Sequence, residues 1–269
     1  MNRRFMKFYE ILDSARNDDS ESVMIPEKWG QGRATFGGLV AAVIYEKLIQ
    51  KIEKTRPVQS IMMSFVAPVS VGELSIQTTL LREGKSAIQV QSSAYQEGKV
   101  VAVMLASFGT ERESMVSVLP EMAPEFKAPR DVNEFPFIPG LTPDFTQHFD
   151  YRYTEGKMPF MGSKDTHMGG WIKLRDPSSK VASVPEILAL LDAWPPAVFT
   201  MLKKPASGSS LTWTISFVEQ PEDCTASDWW QYQANIESSN HGYSHIDASL
   251  WDKNGRVAVI SRQTVSVFA

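Results

Sequence analysis

Apolar and polar positions follow two different periods along this chain, and the two periods recur in the same order twice. Residues 36–49, from Phe36-Gly37-Gly38 to Leu48-Ile49, are apolar nearly all round until the last two turns, the pattern of a central buried helix. Runs at 58–69, 73–82, 86–96 and 99–110 follow, separated by Gly72, Gly84 and Gly98, and predict a four-strand antiparallel meander. Ahead of them, Phe5 to Leu12 reads as a short amphipathic opening and Ser22-Val23-Met24-Ile25 as a strand. The second half predicts strands at 148–155 and 168–175, a helix at 184–203, and strands at 209–219, 229–238, 243–252 and 256–268. Its helix opens with Ser183-Val184-Pro185-Glu186, a capping box with an early proline, and is interrupted by Asp192-Ala193-Trp194-Pro195-Pro196.

The halves repeat each other in detail. Met63-Ser64-Phe65-Val66 returns as Ile215-Ser216-Phe217-Val218, and the hairpin from Tyr95 through Gly98 to Val103 returns from Trp251 through Gly255 to Val259. A spacing of about 150 residues is too long for a solenoid unit and suits a duplicated domain. Between the copies, residues 113–146 carry six prolines, which deny the stretch a regular helix or a central strand. The expected division is therefore 1–112, a proline-rich linker at 113–146, and 147–269.

Composition narrows the function classes. A chain of 269 residues that is 43% apolar can bury a large core, and a net charge of −4 with a pI near 5.7 offers no basic stripe for a phosphate backbone. Nucleic acid is not an expected partner. The one cysteine, Cys224, excludes an internal disulfide framework, and the four histidines show no metal-ligand spacing; His241 and His245 would stand roughly 13 Å apart in an extended strand. No run approaches the roughly 20 apolar residues that span a bilayer, and Met1 to Phe8 leads into Glu10 and Asp13 without a signal-like apolar stretch. A soluble, cytoplasmic protein without a cofactor is expected.

Candidate chemistry comes from the places where the copies differ. With the turn glycines Gly98 and Gly255 superimposed, Gln263 falls where the first copy has Ala106, and strand alternation puts it on the apolar face with Val257, Val259, Ser261, Val265 and Val267. Arg262, Thr264 and Ser266 are expected on the opposite face. Asp192 sits at the helix interruption, where it is either a plain helix cap or a carboxylate at the head of a buried helix facing the cleft between halves. The first copy's helix head, Phe36-Gly37-Gly38, has no carboxylate, so only one of two related sites would be armed. Gly37 and Gly38 either bring backbone N–H groups close to a carbonyl or serve helix-to-sheet packing. Trp229, Trp230 and Tyr232 are expected to fill a core between halves or subunits, and Lys203-Lys204 to complement the end of the second helix. There is no Gly-x-Ser-x-Gly elbow, no Walker sequence, and no dinucleotide fingerprint around Gly30-x-Gly32.

A long apolar helix wrapped by a curved antiparallel sheet is the hotdog arrangement, and two in one chain make an α+β double hotdog. Phe36-Gly37-Gly38, the strand ends Ser64-Phe65-Val66-Ala67-Pro68 and Ser216-Phe217-Val218, Gly169-Gly170-Trp171-Ile172-Lys173-Leu174, and the stretch from Leu250 to Arg256 and on to Gln263 together resemble the acyl-CoA thioesterase II family and its thioesterase-like relatives. The resemblance covers about residues 20–112 and 147–269. It implies an acyl-CoA substrate and hydrolysis by a water that Asp192 activates, helped by Gln263 and by a hydroxyl, Ser210 by counting back from Phe217 or Thr212, assigned the same strand parity. Gly37 and Gly38 would receive the oxyanion, and a homo-oligomer is expected because each half leaves sheet edges to cover. Two other readings stay open: an enoyl-CoA hydratase, which needs an Asp and His pair, and a non-catalytic acyl or acyl-CoA binding protein. Convergence of Asp192, Gln263 and one of Ser210 or Thr212 on a common point discriminates between them.

Overall fold

The computed structural model describes residues 6–17, 20–52 and 56–269. Its first helix, α1 (Phe8–Asn17), buries Phe8, Ile11, Leu12 and Ala15, one stripe at helical spacing. The amphipathic opening thus starts later and runs further than 5–12, and Phe5 lies outside the described residues. Next come β1 (Ser22–Ile25) and a small hairpin of β2 (Gly30–Gln31) and β3 (Ala34–Thr35), then α2 (Gly37–Ile49). Gly38 through Leu48 are all buried, which is why this helix carries no polar face. Two of its buried residues are charged, and one of them, Glu46, is held by Arg16 of α1 at 2.7 and 2.9 Å.

The meander follows as β4 (Val58–Phe65), β5 (Gly72–Glu83), β6 (Ala87–Gln96) and β7 (Lys99–Gly109). The later elements are β8 (Phe149–Glu155), β9 (His167–Leu174), α3 (Val184–Asp192), a 3-10 turn at Ala197–Thr200, β10 (Ser207–Phe217), β11 (Trp230–Asn240), β12 (Tyr243–Trp251) and β13 (Val257–Phe268). Strand order in the one large antiparallel sheet is β1-β5-β6-β7-β4-β10-β13-β12-β11-β9-β8. The two sets of strands therefore join at β4 and β10, and α2 packs on α3 inside the curve of the sheet.

The repeat explains the register at that joint. Met62 pairs with Thr214, residues that the repeat makes equivalent, while Met63 faces Trp213 and Ile61 faces Ile215. Such a register is what a local twofold axis through the Met62 and Thr214 pair produces. The hairpin turns of the two copies also agree: Gly98 has φ 74° and Gly255 φ 78°, a left-handed conformation open to glycine at little cost.

Residues 113–146 contain only short 3-10 turns, at Pro129–Asp131 and at the start of Asp144–His148. Tryptophans hold the stretch against the later strands: Trp251 Nε1 donates to the Glu121 carbonyl at 3.1 Å and Trp171 Nε1 to that of Lys127 at 2.8 Å. Among the described residues, no helix is long and apolar enough to cross a membrane.

Candidate active site

The capping box closes at the start of α3, where Ser183 N–H and Oγ both donate to the Glu186 carboxylate. The helix stops at Asp192 because Pro195 and Pro196 cannot continue it. Ala193 is its C-cap, and the Tyr151 phenol donates to the Ala193 carbonyl at 3.0 Å, which ties down the end of the helix. The expected helix over 184–203 is thus a shorter α3 followed by a 3-10 turn. Asp192 is the last residue of α3 rather than the head of a second segment, and Lys203 and Lys204 are exposed beyond the turn instead of completing a helix.

The carboxylate nevertheless meets a helix head, that of α2. Gly38 N–H donates to it, and Gln263 Nε2 donates to Oδ1 at 3.0 Å. The N-cap of α2, Phe36, provides no side-chain cap, so Asp192 supplies the anion that the helix N-terminus favours. Gly37 and Gly38 are therefore not the uncharged counterpart of Asp192 but its partners. A Cβ on Gly37 would lie 2.8 Å from Asp192 Oδ2 and 3.2 Å from the Phe65 ring, and one on Gly38 would lie 2.5 Å from the Phe36 ring and 3.1 Å from the Ala189 Cα. The first glycine makes room for the carboxylate and for Phe65 of β4, which is helix-to-sheet packing, and the second for the Phe36 ring and for α3, a helix-to-helix contact.

Burial pushes the Asp192 carboxyl up to about 7, against the opposing pull of the Gln263 and Gly38 donors. Desolvation wins over two hydrogen bonds to the charged form. A carboxyl half-ionised near neutrality can hold a proton and also take one.

Asp192 and Gln263 open onto a cavity of about 310 Å3 that is also lined by Gly37, Ser210 and Ser266, with Val40, Phe65, Trp194 and Phe199 among its apolar walls. Ser210 and Thr212 do not share a face. The β10–β13 register shifts between them, so Ser210 pairs with Val265, Thr212 with Thr264, and Trp213 with Gln263. The extra residue, Leu211, is a bulge that reverses strand parity. Ser210 consequently faces the cavity with Gln263, whereas Thr212 is exposed on the other side. Next to the bulge the alternation of β13 also breaks: Ser266, expected on the opposite face, is buried, lines the cavity and donates to the Ser209 carbonyl at 3.1 Å.

The other candidates fall elsewhere. His148 is buried against Trp29, with ring centroids 3.8 Å apart, and contacts the Lys28 carbonyl; His167, His241 and His245 are exposed. Cys224 is buried, and no cluster of metal-ligating side chains occurs among the described residues. Trp230 is core, donating to the Thr225 carbonyl at 2.9 Å, and Trp229 lies under Arg152 and Lys173 at 5.1 and 5.0 Å. Tyr232 departs from the expectation of a purely structural cluster: it stacks on Trp194 beside the site, with centroids 5.0 Å apart. Trp194 belongs to no motif in the sequence, although its place two residues after Asp192 and before two prolines fixes it next to the carboxylate.

Two helix-on-sheet units sharing one continuous sheet, with a carboxylate and an amide at one helix head, define a double-hotdog protein. The acyl-CoA thioesterase N-terminal domain matches residues 25–109 and the acyl-CoA thioesterase C-terminal domain residues 129–267, so the chain belongs to the acyl-CoA thioesterase family. Solved structures share the fold at low sequence identity. A hot dog fold protein of unknown function from Alicyclobacillus acidocaldarius is 23% identical over 96% of this chain and 98% of its own, with a TM-score of 0.84. A candidate thioesterase II of Thermobifida fusca is 18% identical over 98% of both chains, with a TM-score of 0.82. The acyl-CoA thioesterase II TesB2 of Mycobacterium marinum is 18% identical over 92% of this chain and 93% of its own, with a TM-score of 0.73. No curated protein matches the sequence.

Proposed function

We propose that the protein hydrolyses fatty acyl-CoA to the free fatty acid and CoA, with Asp192 as general base. The observation that carries this reading is the Asp192 carboxylate itself, lining the cavity, bonded to Gln263 and poised near neutrality. A water between Asp192 and Ser210 loses its proton to the carboxylate as its oxygen bonds to the thioester carbonyl carbon. Negative charge gathers on the carbonyl oxygen, and the head of α2, where Gly37 lines the cavity, supplies the favourable field. Gly38 cannot serve equally, because its N–H is already engaged by Asp192. The carbon–sulfur bond then breaks, the CoA thiolate leaves and takes a proton, and the acid is released. Gln263 holds the carboxylate while Ser210 positions the water; Thr212, on the far face, takes no part. A thiolate leaves readily, so the reading needs neither metal nor cofactor.

The apolar walls suit an acyl chain, and the same reading makes the protein a cytoplasmic homo-oligomer whose open edge strands, β1 and β8, are available for covering. The test is thiol release across a ladder of acyl-CoAs from acetyl to palmitoyl. Hydrolysis with a chain-length optimum supports the proposal. Binding of acyl-CoA without hydrolysis at any length replaces it with the non-catalytic binding protein.

A further inference from the structure

Trp194 is 5% exposed and held on several sides: it stacks on Tyr232 at an interplanar angle of 6° and meets Tyr151 and Tyr153 edge-on, with centroids 5.7 and 4.9 Å away. Its indole N–H finds no acceptor among the described residues. A buried donor of this kind is costly to leave unpaired, and native proteins pair such groups with protein or with ordered water.

Next to it is a compartment of about 10 Å3 open to the centre of a water molecule, room for about one. Its polar lining comes from Trp194, Tyr232, Ser261 and Gln263, and the remainder is apolar. Trp194, Pro196 and Gln263 also line the larger cavity, so the compartment lies directly behind the proposed site.

Gln263 offers a matching acceptor. Its Nε2 is committed to Asp192, which leaves Oε1 as the acceptor end of the amide. The repeat adds an independent observation. With the turn glycines superimposed, Ser261 and Gln263 replace Met104 and Ala106 of the first copy, both buried and apolar. The two polar residues that line the compartment from β13 are thus peculiar to the copy that carries the site.

We propose that this compartment holds one water that accepts from Trp194 Nε1 and donates to Gln263 Oε1, making Trp194 a positioning residue that fixes which end of the Gln263 amide faces Asp192. A flipped amide would present Oε1 to the carboxylate and turn a donor into a repelling dipole. Ser261 Oγ and the Tyr232 hydroxyl, kept protonated by burial, give the water further partners. The role of this water rests on the hydrolytic reading of the site; its place does not.

The test has two arms. A crystal structure of the wild-type protein at a resolution that orders water should place one within hydrogen-bond reach of both Trp194 Nε1 and Gln263 Oε1. Trp194→Phe, which keeps an aromatic ring and removes the donor, should lower kcat roughly tenfold and move the acid limb of the pH profile upward. A dry compartment overturns the proposal without any variant, and so does a folded Trp194→Phe enzyme with wild-type kcat and pH profile. A water in place in a protein that hydrolyses no thioester would instead count against the proposed function alone.

Discussion

Gln263→Met tests how the Asp192 charge is held. The substitution keeps an unbranched side chain of similar length and removes the Nε2 donor that lies 3.0 Å from Oδ1. The carboxylate then retains the Gly38 N–H, in surroundings whose burial already pushes it up to about 7. A hydrogen bond to a charged group is worth about 1.5 to 3 kcal/mol, and one pKa unit corresponds to about 1.36 kcal/mol, so losing it raises the carboxyl by roughly 1 to 2 units. The sign follows from which form the donor favours: Gln263 stabilises the ionised acid, so its removal makes the proton harder to lose. In a thiol-release assay from pH 5 to 10, the rising limb of kcat/KM should move from near 7 toward roughly 8 to 9. Activity at pH 6 should fall by about tenfold for each unit of that shift, with a much smaller loss at the alkaline end. A limb that stays in place or moves toward acid, with the protein folded, refutes the reasoning that Gln263 holds the charged base.

Further consequences follow from the same geometry. Gly37→Ala places a methyl 2.8 Å from Asp192 Oδ2 and 3.2 Å from the Phe65 ring, so turnover should drop by roughly tenfold or more and the thermal midpoint should fall. Ser210→Ala should lower kcat, whereas Thr212→Ala should match wild type; the opposite order in the same kinetic comparison would reassign the hydroxyl. Asp192 also affects stability: because its native value lies above the ordinary carboxylate range, the native state binds the extra proton, and stability falls as pH rises from about 4 to about 7. Asp192→Asn removes that loss, so urea unfolding should show the variant gaining on wild type through this window, by at most about 4 kcal/mol, and levelling above it.

Much of the architecture was legible because duplication writes it twice. The apolar run of α2, the hairpins around Gly98 and Gly255, and the departure of Gln263 from its counterpart Ala106 are all local patterns, carried by periods of 3.6 and 2. What escaped depended on contacts between distant segments. A cap of its own helix was one of two readings of Asp192 because capping is normally local; here the helix it serves begins 155 residues earlier, at Gly37, and only the packing of α3 on α2 brings them together. Ser210 and Thr212 shared parity on paper until a single extra residue, Leu211, reversed it, and nothing in Ser209-Ser210-Leu211-Thr212 marks a bulge. Trp194 carries no motif, and its N–H lacks an acceptor among the described residues, a property that exists only in the folded chain.

The most direct measurement of the central claim compares acyl-CoA hydrolysis and acyl-CoA binding in wild type and Asp192→Asn at equal folded concentration. The account predicts that hydrolysis collapses in the variant while acyl-CoA still binds with wild-type affinity. Hydrolysis that survives Asp192→Asn at wild-type rate would contradict it and place the chemistry elsewhere in the molecule.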